Sequence, residues 1–340
     1  MNVRTALALF LLASTCIWAC KCGKGKDIPD VSHISMNANI QRFDQQLMSL
    51  DTLQLDTALQ QLRREYPVFY PLYAGDIIAD GSNPETDEDQ FVKAFVRAPV
   101  IRALYDTCQA RFTQLGSLEQ DLNHMLQFYK YYFPDKVTPE VVAYFSEFSI
   151  GTFAYGDSLL GIGLDFYLGP AYRYDIEVFP LFIQRNMTPE YIVPKAAEAL
   201  ATNLLEDLPG NRLLDIMIQN GKILYIKDLL LPYEPDSVKW EYTAAQTNWV
   251  QNNEAELWAH ITSKNLLYET KRQVIQKLVS PSPNGPPDVP PEAPGRAANW
   301  LGLQIVEAYM RRNPQVTVHQ LIAEKDAQEI LTRSKYKPRR

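Results

Sequence analysis

The sequence predicts an α+β protein that is predominantly α-helical and contains one small central β-sheet or hairpin. Helix-start signatures recur along most of the 340 residues, and apolar residues return at helical spacing between them. Only residues 148–168 combine strand-like apolar runs with turn residues. No period of 20–50 residues is visible, so a repeat array is not predicted.

The composition is that of an ordinary globular protein. Apolar residues make up 46% of the chain, charged residues make up 21%, and the net charge is −7. The apolar content argues against a disordered chain. The acidic balance argues against a nucleic-acid partner, because such proteins usually carry a basic stripe.

The first 19 residues have the pattern of a signal peptide. Arg4 precedes an apolar run over residues 5–13 that is too short to span a membrane. The run leads to Ile17-Trp18-Ala19-Cys20, which is similar to the lipobox of bacterial lipoproteins. In that family the cysteine receives a diacylglycerol, and acyl chains such as palmitate hold the protein at the membrane. We expect lipidation at Cys20, with Cys16 or an ordinary soluble signal as alternatives.

Residues 20–35 are predicted to form a tether, and residues 36–340 a single globular domain. An amphipathic helix is expected first, from the spacing of Ile40, Phe43, Leu47, Leu50 and Leu53. A second helical region should follow the turn residues 80–84, with an apolar face made by Phe91, Phe95, Ile101, Leu104 and Tyr105.

Capping patterns predict the later helices. Ser117–Gln120, Thr243–Gln246 and Thr317–Gln320 have the pattern of capping boxes, and the first should open a helix that runs through Tyr132. Thr138-Pro139-Glu140 and Thr188-Pro189-Glu190 each place a polar N-cap before a proline and an acid, which favours a helix start.

Two other segments are not helical. Residues 148–153 and 159–168 flank Tyr155-Gly156-Asp157, which predicts a hairpin. Residues 280–295 contain seven prolines and are predicted to form a loop. Their P-x-x-P spacing can dock on aromatic grooves, but a stiff surface loop is the favoured interpretation.

One motif resembles a nucleophile. Gly156-Asp157-Ser158-Leu159 spells the nucleophile block of the GDSL esterases, but that family places its serine near the mature N-terminus. Here the serine is central, and neither His260 nor His319 has an aspartate three residues before it. A nucleophilic serine needs a base within hydrogen-bond reach, whereas a hairpin turn explains the glycine and the aspartate without one. A turn is therefore favoured over an esterase.

The sequence predicts no metal or other cofactor. Its four histidines are single residues in different segments, whereas a metalloprotease helix needs two of them four apart. The acids Glu85, Asp87, Glu88 and Asp89 lack the spacing of a calcium loop and are interpreted as a solvated helix start. Gly161-Ile162-Gly163 lacks the third glycine of a dinucleotide loop. No enzymatic chemistry is therefore supported.

Several short blocks of the chain carry a family resemblance. The first is residues 161–169, an apolar strand that leads into Leu164-Asp165-Phe166-Tyr167-Leu168-Gly169. The other blocks are residues 214–218, 221–225, 231–232, 235–237, 252–259, 266–268, 294–296, 300–302, 304–306, 308–310, 313–314, 323–328 and 334–338. Together, and in this order, they resemble the gliding-motility lipoprotein GldB family of the Bacteroidetes, whose strand ends in a similar Leu-Asp-x-Tyr-Leu-Gly block.

The resemblance implies a non-enzymatic lipoprotein of the gliding and type IX secretion apparatus, with an assembly or scaffolding role. Its partners would be other components of that apparatus. Basic residues follow the acylated cysteine at Lys21 and Lys24, whereas surface-exposed lipoproteins of this group usually carry acids there. We therefore expect a periplasm-facing position, on either the inner or the outer membrane.

The GldB group also resembles zinc peptidases that carry a His-Glu-x-x-His helix. That helix should fall near residues 194–205, where Glu198 is present but no histidine flanks it. The later acidic block of those peptidases should fall near Asn220, where an asparagine replaces the acid. The resemblance implies a peptidase-like fold without its metal site. A periplasmic peptide- or glycan-binding module, or a degenerate hydrolase, is the alternative function.

Four residues of the shared blocks are candidate partner or ligand contacts: Asp165, Tyr167, Arg296 and Trp300. Each also has a structural interpretation. Asp165 can be a buried acid bonded to backbone or tyrosine. Trp300 can be a core residue beside a tight helix crossing, because Gly302 follows two positions later.

Overall fold

Four short strands form one mixed β-sheet in the computed structural model, which describes residues 28–79, 88–205 and 210–339. Their order is β1-β2-β4-β3. β1 pairs in parallel with β2, β2 pairs in parallel with β4, and β3 runs antiparallel to β4 at the edge. The strands are β1 (Ile40–Arg42), β2 (Glu140–Tyr144), β3 (Phe153–Tyr155) and β4 (Leu159–Gly163).

Helices make up most of the rest of the described chain, as the sequence predicts. A π-helical turn spans Tyr73–Ile78, and 3₁₀ turns span Leu164–Tyr167, Pro189–Tyr191 and Leu266–Tyr268. The α-helices are α1 (Phe43–Met48), α2 (Leu55–Glu65), α3 (Phe69–Leu72), α4 (Glu88–Arg97), α5 (Pro99–Arg111), α6 (Gly116–Tyr132), α7 (Leu181–Gln184), α8 (Ile192–Leu204), α9 (Leu213–Leu230), α10 (Asp236–Trp240), α11 (Ala244–Asn252), α12 (Glu254–Ser263), α13 (Arg272–Val279), α14 (Ala297–Arg312), α15 (Val318–Ala323) and α16 (Ala327–Ser334).

The predicted hairpin is confirmed. β3 and β4 pair with Ala154 opposite Leu160, and Gly156 adopts a φ of +54° in the turn between them. A positive φ costs glycine little because it has no Cβ. The exposed turn also contains Ser158, whose carbonyl accepts a hydrogen bond from the Glu140 amide.

Two helix predictions were wrong because the residues belong to the sheet. Ile40–Arg42 form β1 rather than the first turn of a helix, and Leu53, counted on the apolar face, is 91% exposed. Thr138-Pro139-Glu140 leads into β2, the strand between β1 and β4. Residues 141–144 are all buried, and so short a continuous apolar run cannot be distinguished from a buried helix by periodicity.

The remaining capping predictions have mixed outcomes. The boxes at Thr243 and Thr317 are confirmed, since each hydroxyl accepts from the backbone N–H three residues later. The 3₁₀ turn at Pro189 continues into α8, as expected. The helix through Tyr132 is also confirmed, but it begins at Gly116 with no side-chain cap, so the box at Ser117 was wrong.

An aromatic cluster packs near the sheet. The Phe43 ring lies 4.8 Å from Phe69, 4.7 Å from Tyr73 and 5.1 Å from Tyr66, all edge-on. Tyr144, from β2, contacts Phe69 at 5.4 Å. Such offset and edge-to-face pairs stabilise a core beyond the area that they bury.

A tight crossing of α9 and α14 organises the second part of the core, as the Trp300–Gly302 pair predicts. A Cβ on Gly302 would lie 1.8 Å from the Met217 carbonyl oxygen, and one on Gly221 would lie 2.4 Å from the Gly302 carbonyl carbon. The two backbones are therefore in direct contact. Trp300 is 2% exposed beside this crossing.

The described residues from Ile34 onward form one compact unit. Within the described ranges, no helix is both long and apolar enough to cross a bilayer, and Cys108 is a buried free thiol. The predicted signal peptide, the first half of the tether with Cys20, and the turn at residues 80–84 lie outside the described residues.

Candidate functional site

A cleft of about 380 Å³ lies where the elements that follow β4 meet the start of α14. The 3₁₀ turn after β4 contributes Tyr167, α8 contributes Lys195 and Glu198, and the proline-rich loop contributes Pro294. The loop at residues 280–295 thus forms part of the cleft wall. The other lining side chains include Phe179, Phe182, Arg185, Asn186, Glu241, Tyr242, Gln246, Arg296 and Asn299.

A network of ion pairs adjoins the cleft, and all of its members except Lys227 line the cavity. The Lys195 ammonium lies 2.6 Å from Glu241 Oε1 and 3.4 Å from Glu198 Oε2. Lys227, which is 1% exposed, lies 2.8 Å from Glu198 Oε2 and 3.6 Å from Glu241 Oε1. Arg296 Nη1 lies 3.3 Å from Glu241 Oε2. We call these five residues the charge cluster.

The cluster favours the charged forms of Glu241, Lys195 and Arg296. Burial alone would raise the pKa of the Glu241 carboxyl, but Lys195, Arg296 and Lys227 outweigh burial and hold that pKa well below its usual value. Burial opposes the charged forms of Lys195 and Arg296, yet the neighbouring carboxylates raise the pKa of both. A carboxylate held in this way is a poor general base, because its proton affinity is low.

The backbone is strained at two members of the cluster. Glu241 has a φ of +58° and Arg296 a φ of +61°. Non-glycine residues pay for this left-handed conformation with steric strain, and such residues concentrate at functional sites. Both strained residues contribute side chains to the same ion pair, which places the strain at the cleft.

Arg185 extends the positive side of the cleft. Its guanidinium donates to the Glu241 carbonyl oxygen at 2.9 Å, to Asn186 Oδ1 at 3.3 Å and to Gln246 Oε1 at 3.4 Å. All three acceptors are neutral, so no ion pair with a described residue compensates the Arg185 charge.

A smaller recess of about 80 Å³ adjoins the cleft and shares Glu198, Glu241 and Arg296 with it. The Trp240 and Trp300 rings line the recess and meet edge-on at 6.2 Å. Both indole N–H groups are buried without a hydrogen-bond partner among the described residues. An unpaired buried donor of this kind is unusual and costs free energy.

The structure brings three of the four predicted contact residues to these cavities. Tyr167 and Arg296 line the cleft, and Arg296 and Trp300 line the recess. The Tyr167 hydroxyl lies 2.7 Å from the Thr152 hydroxyl, and burial raises the pKa of Tyr167 to about 12.

Asp165 lines neither cavity. Its carboxylate is fully buried and accepts the backbone N–H groups of Ser146 at 3.0 Å and Phe148 at 2.8 Å. Burial nevertheless raises the pKa of Asp165 to about 6. The contacts thus place Asp165 as a positioning residue for the loop that follows β2.

Four residues of the site were not predicted from the sequence: Arg185, Lys195, Lys227 and Glu241. One signal was available: Lys227 lies in the mostly apolar segment 223–231, where a buried lysine requires an acidic partner. The identity of that partner was not readable, since Glu198 precedes Lys227 by 29 residues.

The other chemical motifs do not assemble into a site. Asp157, beside Ser158 in the hairpin turn, forms an ion pair with Lys136 at 2.7 Å. In the described part of the chain, no group of three histidine, cysteine, aspartate or glutamate residues is placed to hold a metal ion. The similarity to zinc peptidases stays a prediction.

Comparison with known proteins identifies the family. No curated protein and no solved structure matches the chain significantly. The sequence profile described as gliding motility protein GldB matches residues 24–338, a span that contains the cleft, the recess and all four predicted contact residues. The chain therefore belongs to the gliding motility protein GldB family.

Proposed function

We propose that the protein is a non-enzymatic component of the gliding motility and type IX secretion apparatus, with an assembly or scaffolding role. Family membership supports the connection to gliding motility and to the cell envelope. The observation that carries the non-enzymatic part is the charge cluster. Its two carboxylates are both held in ion pairs, Glu198 with Lys227 at 2.8 Å and Glu241 with Lys195 at 2.6 Å.

Under this proposal the cleft is a binding surface. Proton transfer in catalysis needs a group whose pKa lies near the working pH, whereas the pKa of Glu241 is held far below it. Fixed charges in a sheltered cavity suit recognition, because they impose orientation and complementarity on whatever binds.

The proposal includes a lipid anchor at Cys20, which would hold the domain at the membrane on its periplasmic side. Palmitate labelling of the protein in its host tests this anchor. We expect the label to be lost in Cys20→Ala and retained in Cys16→Ala. Loss of the label in Cys16→Ala alone would assign the anchor to the alternative cysteine.

Chemical crosslinking in living cells, followed by mass spectrometry of the native lipidated protein, tests the assembly role. We expect crosslinks to components of the motility or secretion apparatus, and their positions should define the contact face. Crosslinks restricted to the protein itself or to unrelated envelope proteins would contradict the assembly role.

A further inference from the structure

The charge balance of the cleft is positive in a protein that is negative overall. Three cations, Arg185, Lys195 and Arg296, and two carboxylates, Glu198 and Glu241, line the cleft. The local balance is therefore +1, against −7 for the chain. The Coulomb attraction between such a charge and a ligand is stronger in a low-dielectric cavity than in water. The cleft should therefore attract a negatively charged group.

The cavities also contain hydrogen-bond donors that are not used within the described part of the chain. Arg296 has five N–H donors, and it uses one toward Glu241 Oε2 and one toward the Trp240 carbonyl oxygen. The indole N–H groups of Trp240 and Trp300 have no described partner. A ligand that brings oxygen acceptors would satisfy these donors.

The ligand charge should be small. Three lining cations against two carboxylates leave one uncompensated positive charge, which a singly charged carboxylate would balance and a doubly charged phosphate would exceed. A carboxylate also matches the planar guanidinium of Arg185 or Arg296, because its two oxygens can accept two parallel N–H bonds.

Part of the cleft lining is apolar. Phe179 and Phe182 belong to it, and the chain segment that carries them exposes three large aliphatic side chains: Ile176 by 58%, Val178 by 62% and Leu181 by 68%. Exposed apolar groups that adjoin a cavity are typical of binding sites. They give the apolar part of a ligand a surface to cover.

We propose that the cleft binds a carboxylate group carried on an apolar body, with the carboxylate at Arg185 and Arg296 and the body against Phe179 and Phe182. This inference rests on the proposed function, in which the cleft binds and does not catalyse. The carboxylate can come from the C-terminus of a peptide or from a free aromatic or aliphatic acid.

Isothermal titration calorimetry on the full-length protein in detergent tests this proposal. The probes are N-acetyl-leucyl-phenylalanine as the free acid, the same dipeptide as its C-terminal amide, and 3-phenylpropionate. We expect the free acid to bind at least tenfold more tightly than the amide, because the two probes differ in the charged group alone.

A pair of variants then locates the carboxylate. Arg185→Gln should weaken binding of the free acid about tenfold and leave the amide unchanged. Arg173→Gln is the matched control, since Arg173 is an exposed arginine in the same segment that does not line the cleft. It should leave both affinities unchanged.

These titrations distinguish a free acid from a peptide C-terminus as the ligand. They also distinguish failure of the carboxylate proposal from failure of the non-enzymatic role. Equal binding of 3-phenylpropionate and the acid dipeptide would assign a free acid, and tenfold weaker binding of 3-phenylpropionate would assign a peptide C-terminus. Equal affinity for acid and amide, or no binding of the acid at millimolar concentration, would overturn the inference. Cleavage of a probe would instead contradict the non-enzymatic role.

Discussion

At the scale of single residues, Asp165 shows how a buried acid can organise a loop. It accepts two backbone N–H groups from residues 146–148, where Glu147 and Phe148 both have positive φ. The sequence predicted a buried acid bonded to backbone as one of two interpretations of Asp165. It did not indicate which loop the acid would hold, because Asp165 lies 17 residues beyond Phe148.

The pKa of Asp165 makes folding stability depend on pH. Its folded-state pKa of about 6 exceeds the ordinary 3.8, so the folded protein binds this proton more tightly than the unfolded chain does. The resulting stability is fully present below about pH 4 and is lost as the pH rises through 6.

Asp165→Asn should remove this dependence, because the amide keeps an oxygen acceptor and does not titrate. Urea unfolding of both proteins between pH 4 and pH 7 measures the effect. We expect the free energy of unfolding of the wild type, relative to the variant, to fall by roughly 2–3 kcal/mol over this range. A difference that stays constant with pH would contradict the assignment.

At the scale of elements, local signals predicted the structure where local interactions decide it. The hairpin at Gly156, the capping boxes at Thr243 and Thr317, and the crossing at Gly302 follow from short sequence patterns. β1 and β2 were missed because their strand pairing is parallel and joins residues about 100 positions apart, as in Ile40 opposite Val141. No local pattern encodes such a pairing.

The crossing of α9 and α14 should be sensitive to a single methyl group. In Gly302→Ala the Cβ would meet the Met217 carbonyl oxygen, so the helices must separate. We expect the variant to lose about 3 kcal/mol of unfolding free energy, in line with overpacked cores.

Gly116→Ala is the matched control, because Gly116 begins α6 with no atom within 4 Å of the added Cβ. The control should be neutral or slightly stabilised, by at most about 1 kcal/mol. Urea unfolding of both variants makes the comparison. Equal effects at the two glycines would show that the crossing is not tight.

At the scale of the whole molecule, the cleft draws its residues from distant parts of the chain. Tyr167 follows the last strand, Glu241 follows α10, and Arg296 precedes α14. The sequence predicted Tyr167 and Arg296 as contacts because they lie in family-like blocks. The charge cluster that joins them was not predictable, since Glu241 and Arg296 are 55 residues apart and meet through tertiary packing.

The central claim is that the carboxylates of the cleft act as partners in ion pairs and not as catalytic groups. Removing one member of a buried ion pair leaves an unpaired charge, whereas replacing both members with neutral side chains is often tolerated. The double variant Glu198→Gln/Lys227→Met replaces both partners of one pair, whose charged groups lie 2.8 Å apart.

The most direct measurement is complementation of a strain that lacks the gene, with colony spreading and type IX secretion as readouts and immunoblotting of membrane fractions to measure abundance. We predict that the double variant restores both activities to the level of the wild-type gene. Loss of both activities at wild-type abundance in the membrane would contradict the claim, because it would show that Glu198 or Lys227 is needed for more than the charge pairing.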